Sequence, residues 1–166
     1  MLRPGHFYTL PQVLPHGPGM MLLDRVAGYD AESLSCEVTI RPESRFCDGQ
    51  AVPAWVGLEY MAQTLGAFTG VSRLQQQRPV QVELLLGTRS FECTTPAFAV
   101  GSKLAVRVRL LFWDPDGVCA FACEIRQNGA VVATAEVKGY EPEDIEPFLR
   151  GLQADTAPAN DARGPA

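Results

Sequence analysis

One long segment of the chain contains a single charged side chain. Residues 49–72 read GQAVPAWVGLEYMAQTLGAFTGVS, and the carboxylate of Glu59 is the one formal charge among them. If this segment is a helix, its apolar side chains point in nearly every direction, and such a helix belongs inside a protein core or a bilayer. An ionisable group in that place is costly unless it is paired, neutralised or used. The segment therefore predicts a buried helix and marks Glu59 as a candidate functional residue.

The surrounding sequence favours a protein core over a bilayer. The segment is long enough to cross a membrane, but it carries Glu59 near its middle, two glutamines, Pro53 and three internal glycines. Strand patterns also follow it closely. The 166 residues suit one domain, which we place at residues 1–150. The chain lacks core-forming side chains from about Gln153 onward, and we predict a disordered tail at residues 151–166.

Charge and cysteine content narrow the possible partners and ligands. The net charge is −5, and the fourteen Lys and Arg residues are scattered, which argues against nucleic acid as a partner. The five cysteines cannot all pair and show no C-x-x-C spacing, so we expect free thiols and no metal site. The N-terminus lacks the apolar stretch of a secretion signal. We therefore expect a cytoplasmic protein with no membrane partner.

Alternating patterns on both sides of the helix predict β-strands. Ser33 to Ile40 alternates apolar and polar side chains, as a half-buried strand does. Pro53 marks the expected first turn of the helix, and Gly70 with the polar residues 72–79 marks its expected end. Further strands are predicted at 81–86, 103–113, 118–127 and 130–137, with a hairpin turn at Asn128-Gly129.

These elements predict an α+β fold, a bent antiparallel sheet wrapped around one central buried helix. A single sheet of this kind leaves long edge strands. Such edges are commonly protected by pairing with a second chain, so we expect a dimer.

Two motifs resemble the β-hydroxyacyl-[acyl-carrier-protein] dehydratases of the hotdog fold. Leu14-Pro-His-Gly-Pro-Gly-Met-Met-Leu-Leu-Asp-Arg-Val26 is similar to the leucine-proline-histidine segment that opens these enzymes. Val52-Pro-Ala-Trp-Val-Gly-Leu-Glu-Tyr-Met-Ala-Gln63 resembles their central-helix segment, and residues 86–91 their next glycine-led strand. The residue sequence of the helix motif looks closest to that of the dehydratase-like proteins encoded with aryl polyene biosynthesis.

The resemblance implies removal of water from a β-hydroxyacyl thioester in fatty-acid or polyene-type biosynthesis. In that family a histidine removes the α-proton and the helix carboxylic acid protonates the departing hydroxyl group. Glu59 matches the acid. The candidates for substrate binding are its helix neighbours Gly57, Gln63, Trp55 and Val56, and backbone N–H groups at residues 54–57 are expected to polarise the thioester carbonyl.

The resemblance also implies how the substrate arrives. The acyl chain would be carried on the pantetheine arm of an acyl carrier protein or of coenzyme A. No resident cofactor and no metal are therefore expected.

The histidine of that family is missing from its usual position. It stands fourteen residues before the carboxylate, and the count back from Glu59 ends at Arg45. Arginine cannot act as a general base near neutral pH. The two histidines of this chain, His6 and His16, both lie far upstream.

Several alternatives therefore stay open. His16 could act as the base in a homodimer. Because the sites of that family lie at a dimer interface, a second hotdog subunit could instead supply the histidine in a hetero-dimer. The chain could also be a non-catalytic hotdog subunit that binds acyl groups. An acyl thioesterase on the same fold is a further alternative.

Overall fold

A computed structural model of the chain describes residues 7–142 and contains two α-helices and eight strands in that range. The helices are α1 (Leu10–Val13) and α2 (Gly57–Gln75). The strands are β1 (Arg25–Tyr29), β2 (Ser33–Thr39), β3 (Ala51–Pro53), β4 (Leu84–Cys93), β5 (Ala97–Ala99), β6 (Lys103–Trp113), β7 (Val118–Gln127) and β8 (Ala130–Tyr140). The predicted tail at residues 151–166 lies outside the described residues.

Six of the strands form one antiparallel sheet in the order β1-β2-β6-β7-β8-β4. Strands β3 and β5 pair with each other in a separate ribbon. The hairpin between β7 and β8 turns at Asn128 and Gly129, whose φ angles of 52° and 81° are those of a type I′ turn. The predicted antiparallel sheet around one central helix is confirmed.

Helix α2 packs against the inner face of this sheet, on β2, β6, β7 and β8. The alternation in strand β6 explains why this face of the sheet is the inner one. Leu104, Val106 and Val108 are buried, whereas the residues between them are exposed. Close packing begins at the first residue of α2. A Cβ atom on Gly57 would stand 2.9 Å from Cδ1 of Ile125, so the glycine lets the helix approach β7.

The N-terminal segment, residues 13–22, covers part of α2. At Gly70 the helix surface touches the backbone of this segment, because a Cβ atom there would stand 2.0 Å from the carbonyl oxygen of Val13. One turn earlier, Gly66 faces the side chain of Leu14. The sequence predicted that Gly70 and the polar residues 72–79 end α2. The helix ends at Gln75, within that polar stretch, and Gly70 lies inside the helix, where it serves close packing.

The bounds of the strand predicted at 81–86 were wrong. The strand begins at Leu84 and continues through Gly87 as β4, with a bulge at that residue, where φ is 148°. In the part of the chain that the structure describes, no helix is long and apolar enough to cross a membrane.

We expect Gly70→Ala to lower the free energy of unfolding by about 1–3 kcal/mol, because the added methyl group would overlap backbone atoms of Val13. Gly66→Ala is the matched control on the same helix. It meets only the end of the Leu14 side chain at 3.2 Å and should stay within about 1 kcal/mol of wild type. Urea denaturation of both variants measures the difference, and equal losses would contradict this packing role of Gly70.

Candidate active site

A cavity of about 250 Å³ lies between α2, the N-terminal segment and the start of β4. Helix α2 presents one face to it, since its lining residues are three or four positions apart. That face consists of Glu59, Ala62, Gln63, Leu65 and Gly66. The opposing walls are residues 14–16, residues 81–85 and Gly139. Most lining side chains are apolar, so the cavity suits an acyl chain with a few polar groups placed around it.

The buried amide of Gln63 connects the helix to the N-terminal segment. Its Nε2 donates to the carbonyl oxygen of Met20 at 2.8 Å, and its Oε1 accepts from the backbone N–H of Leu22 at 2.9 Å. Nε2 also donates to Oε1 of Glu59 at 2.9 Å. One side chain thus satisfies two backbone groups of the segment and orients the candidate acid. Gln63 is a positioning residue in this arrangement.

Glu59 lies in the first turn of α2 and is partly buried. The bond from Gln63 occupies its Oε1. Glu59 also lines the cavity. Its role as the acid, expected from the sequence, stays a prediction.

His16 reaches the same cavity from the N-terminal segment. The structure thus brings the two predicted catalytic residues, Glu59 and His16, to one site although 43 positions separate them in the sequence (59 − 16). Nδ1 of His16 is buried and has no hydrogen-bond partner. The role of His16 as the base stays a prediction.

The other predicted substrate-binding residues do not line this cavity. Trp55 is 62% exposed and packs edge-on against Phe46, with ring centroids 5.6 Å apart. Val56 and Gly57 are buried on the sheet side. Their roles in substrate binding stay predictions.

Two of the backbone donors that the sequence suggested for the thioester are already occupied. The N–H of Ala54 donates to the carbonyl oxygen of Pro96 at 2.9 Å, and the N–H of Gly57 donates within the preceding turn. These two groups do not face a substrate. The expectation that they polarise the thioester carbonyl was wrong for both.

Arg45, at the position of the missing histidine, holds the loop before the helix. Its guanidinium donates to the carbonyl oxygen of Gly19 and does not line the cavity. The side chain therefore ties residues 41–50 to the N-terminal segment. In this structure it acts as a structural contact.

Glu83 is a second carboxyl group on the cavity, and the sequence interpretation missed it. It lines the wall opposite α2, and its Oε1 accepts from the thiol of Cys119 at 3.1 Å. Burial raises the pKa of Glu83 to about 7, and the nearby carboxylate of Glu141 contributes. Its Oε2 is buried and has no hydrogen-bond partner.

A signal for Glu83 was present in the sequence. It is the single charged residue between Arg78 and Arg89, in the run PVQVELLLGT. This is the same kind of isolation that drew attention to Glu59. A lone charge in an apolar strand is easier to overlook, because alternate strand residues face outward and a charge there is ordinary.

Comparison with known proteins identifies the family. The family model ApeP-like, described as ApeP dehydratase, matches residues 8–150. A chain of the dehydratase heterocomplex ApeI:P from Xenorhabdus doucetiae is similar with 29% identity and a TM-score of 0.79, and the match covers 87% of this chain and 98% of that one. No curated protein matches.

More distant structures share the fold alone. The PaaI protein from the phenylacetic acid degradation operon of E. coli is 10% identical, with a TM-score of 0.55 over 70% of this chain and 81% of that one. A putative thioesterase from Ralstonia eutropha JMP134 is 20% identical, with a TM-score of 0.54 over 70% and 83% of the two chains. The resemblance found in the sequence motifs is confirmed by the family match. The chain belongs to the ApeP-like dehydratase family of hotdog-fold proteins.

Proposed function

We propose that this chain removes water from a 3-hydroxyacyl thioester, with Glu59 as the acid and His16 as the base. The observation that carries this proposal is the cavity that both residues line. Its apolar walls fit an acyl chain, and His16 brings an imidazole to the cavity that Glu59 lines. Membership of a dehydratase family supports the reaction class.

The reaction requires one proton to leave the substrate and one to enter it. The imidazole of His16 takes the α-proton, and the C–H electron pair forms the double bond between Cα and Cβ. The Cβ–O bond breaks as the carboxylic acid of Glu59 gives its proton to the hydroxyl oxygen, and water leaves. Proton transfer from the imidazolium back to the carboxylate restores the starting state. An acid and a base held in place typically contribute 10²–10⁴-fold each to such a step.

Gln63 supports this division of roles. Its Nε2 donates to Oε1 of Glu59, which makes Oε1 an acceptor and leaves Oε2 to hold the transferable proton. Because the same amide binds the backbone at Met20 and Leu22, the segment that carries His16 is fixed relative to Glu59. Gln63 thus positions both the proposed acid and the segment that carries the proposed base.

We propose that the working form is a complex with a second hotdog subunit. Strand β4 lies at the edge of the sheet, and its Leu85 and Leu86 are 50% and 57% exposed. An exposed apolar edge strand favours pairing with another chain. Because Leu85 also lines the cavity, a partner docked there would close the site. The similar dehydratase from Xenorhabdus doucetiae is a heterocomplex, which supports a non-identical partner.

The proposed substrate is an acyl chain on the pantetheine arm of an acyl carrier protein. Coenzyme A presents the same arm, and an assay with both carriers separates them. The chain needs no resident cofactor for this chemistry, because proton transfer and water loss use side chains alone.

We expect Glu59→Gln to lower the dehydration rate by about 100-fold or more, because the amide cannot donate the proton that the hydroxyl group needs. The assay supplies 3-hydroxyacyl carrier protein to the chain alone and to the chain with its partner subunit. Mass spectrometry distinguishes loss of water from release of the acyl chain. Glu32→Gln, at an exposed carboxylate on the β1–β2 turn, is the matched control and should keep full activity. Unchanged turnover in Glu59→Gln would show that the chain is a non-catalytic subunit or that the acid lies elsewhere.

We expect His16→Ala to lower the same rate by about 100-fold or more in the complex, since removal of the α-proton loses its base. His16→Gln keeps a polar side chain of similar size and should be equally inactive if the imidazole is the base. Full turnover by His16→Ala in the complex would contradict the role of His16 and assign the base to the partner subunit.

A further inference from the structure

Residues 78–83, which we call the wall loop, connect α2 to β4 and belong to neither a helix nor a strand. The last three of them line the cavity. Side chains hold the loop in place: Nε of Arg73 donates to the carbonyl oxygen of Pro79 at 2.6 Å, and the amide of Gln81 donates to the carbonyl oxygen of Pro142. This wall of the cavity therefore depends on side-chain bonds and not on a strand ladder.

Glu83 attaches the end of the wall loop to β7 and α2. The residue is half-buried, but its carboxyl group is enclosed, and the thiol of Cys119 on β7 donates to its Oε1 at 3.1 Å. The hydroxyl group of Thr69 on α2 also hydrogen-bonds the carboxyl group. A Cβ atom on Gly139 would stand 2.2 Å from Oε1, so only glycine leaves room for this attachment.

The enclosed carboxyl group of Glu83 has a like charge nearby and no cation of its own. The buried guanidinium of Arg73 pairs with Glu141, and no lysine or arginine among the described residues pairs with Glu83. A carboxylate at this place would be buried and uncompensated, which costs free energy. The closed wall loop is therefore compatible with the neutral carboxyl group. The ionisable groups that face Glu83 or lie beside it are Arg73, Cys119, Glu141 and, on the same cavity, His16 and Glu59.

We propose that Glu83 is a pH-sensitive anchor of the wall loop: its neutral carboxyl group holds the loop against α2 and β7, and its ionisation releases the loop and opens the cavity. The loop moves and the sheet does not, because opening a segment outside the strand ladder breaks few bonds. That this opening admits or releases an acyl chain rests on the proposed function. The anchor itself does not.

The pH range of the release follows from the surroundings of Glu83. Burial raises the pKa of Glu83 to about 7, with a smaller contribution from the charge of Glu141, while the bonds to Cys119 and Thr69 act in the opposite direction. This folded-state pKa lies above the ordinary value of 4.5. The anchor is therefore at full strength below pH 4.5, and its contribution is lost as pH rises through about 7.

Cys119 can report the release, because its thiol is fully buried and lies against Glu83. The full-length protein is alkylated with N-ethylmaleimide between pH 5 and pH 8, and mass spectrometry gives the labelling rate of each cysteine. Division by the rate in the urea-unfolded chain at the same pH removes the intrinsic pH dependence of a thiol. We expect the protection of Cys119 to fall by up to about tenfold per pH unit between pH 5 and pH 7, the limit for one proton. Cys123, also buried on β7 but bonded to Phe121, should stay protected.

Two variants separate Glu83 from other titrating groups. Glu83→Gln keeps a neutral side chain of the same shape, so Cys119 should stay protected from pH 5 to pH 8. Glu92→Gln, at an exposed carboxylate on β4 away from the cavity, is the matched control and should follow wild type.

Three results would overturn the inference: protection of Cys119 that does not change with pH in wild type, the same fall in Glu83→Gln, or equal losses at Cys119 and Cys123, which indicate global unfolding. If Glu83→Gln does not fold, the comparison of the two cysteines in wild type still decides. The labelling needs neither substrate nor turnover. Its failure and the failure of the proposed function are therefore distinguishable.

Discussion

The burial of helix α2 decides how the other elements of the fold are arranged. A helix that is apolar on nearly every side must be covered all round, and the sheet can cover only one side of it. The N-terminal segment provides cover elsewhere. Gly70 allows it to touch the helix backbone, and Gln63 satisfies two of its backbone groups. Without these contacts the segment would leave polar backbone groups buried and unpaired against an apolar helix.

The functional cavity is a consequence of this enclosure. It lies where the helix, the N-terminal segment and the start of β4 meet without filling the space between them. Each of the three contributes one ionisable side chain, Glu59, His16 or Glu83. Because β4 is also the exposed edge of the sheet, the place where a second subunit would dock borders the place where the substrate would bind. Under the proposed function, the position of this one strand couples assembly to the chemistry.

Local sequence patterns correctly predicted those elements whose position depends on a single periodicity or turn preference. Strands β6 and β7 and the turn at Asn128-Gly129 follow from alternation and turn chemistry, and the structure places them at the predicted residues. The role of Gly70 was ambiguous in the sequence, because a glycine is compatible with both helix termination and close packing. Only the position of Val13 in space distinguishes them. The short elements α1 and β5 have too few residues to show a period, and tertiary contacts decide them.

Charge and periodicity along the chain were enough to predict a buried helix with a lone carboxylate and an antiparallel sheet around it. The resemblance to the dehydratases added that Arg45 stands where their histidine is expected. The three-dimensional fold was needed to show that His16 and Glu83 share the cavity of Glu59. It also showed that Trp55 faces outward and that Gln63 joins the N-terminal segment to the helix. The physical reason is that such contacts join residues far apart in the chain, and no local pattern records which distant backbone a buried side chain will meet.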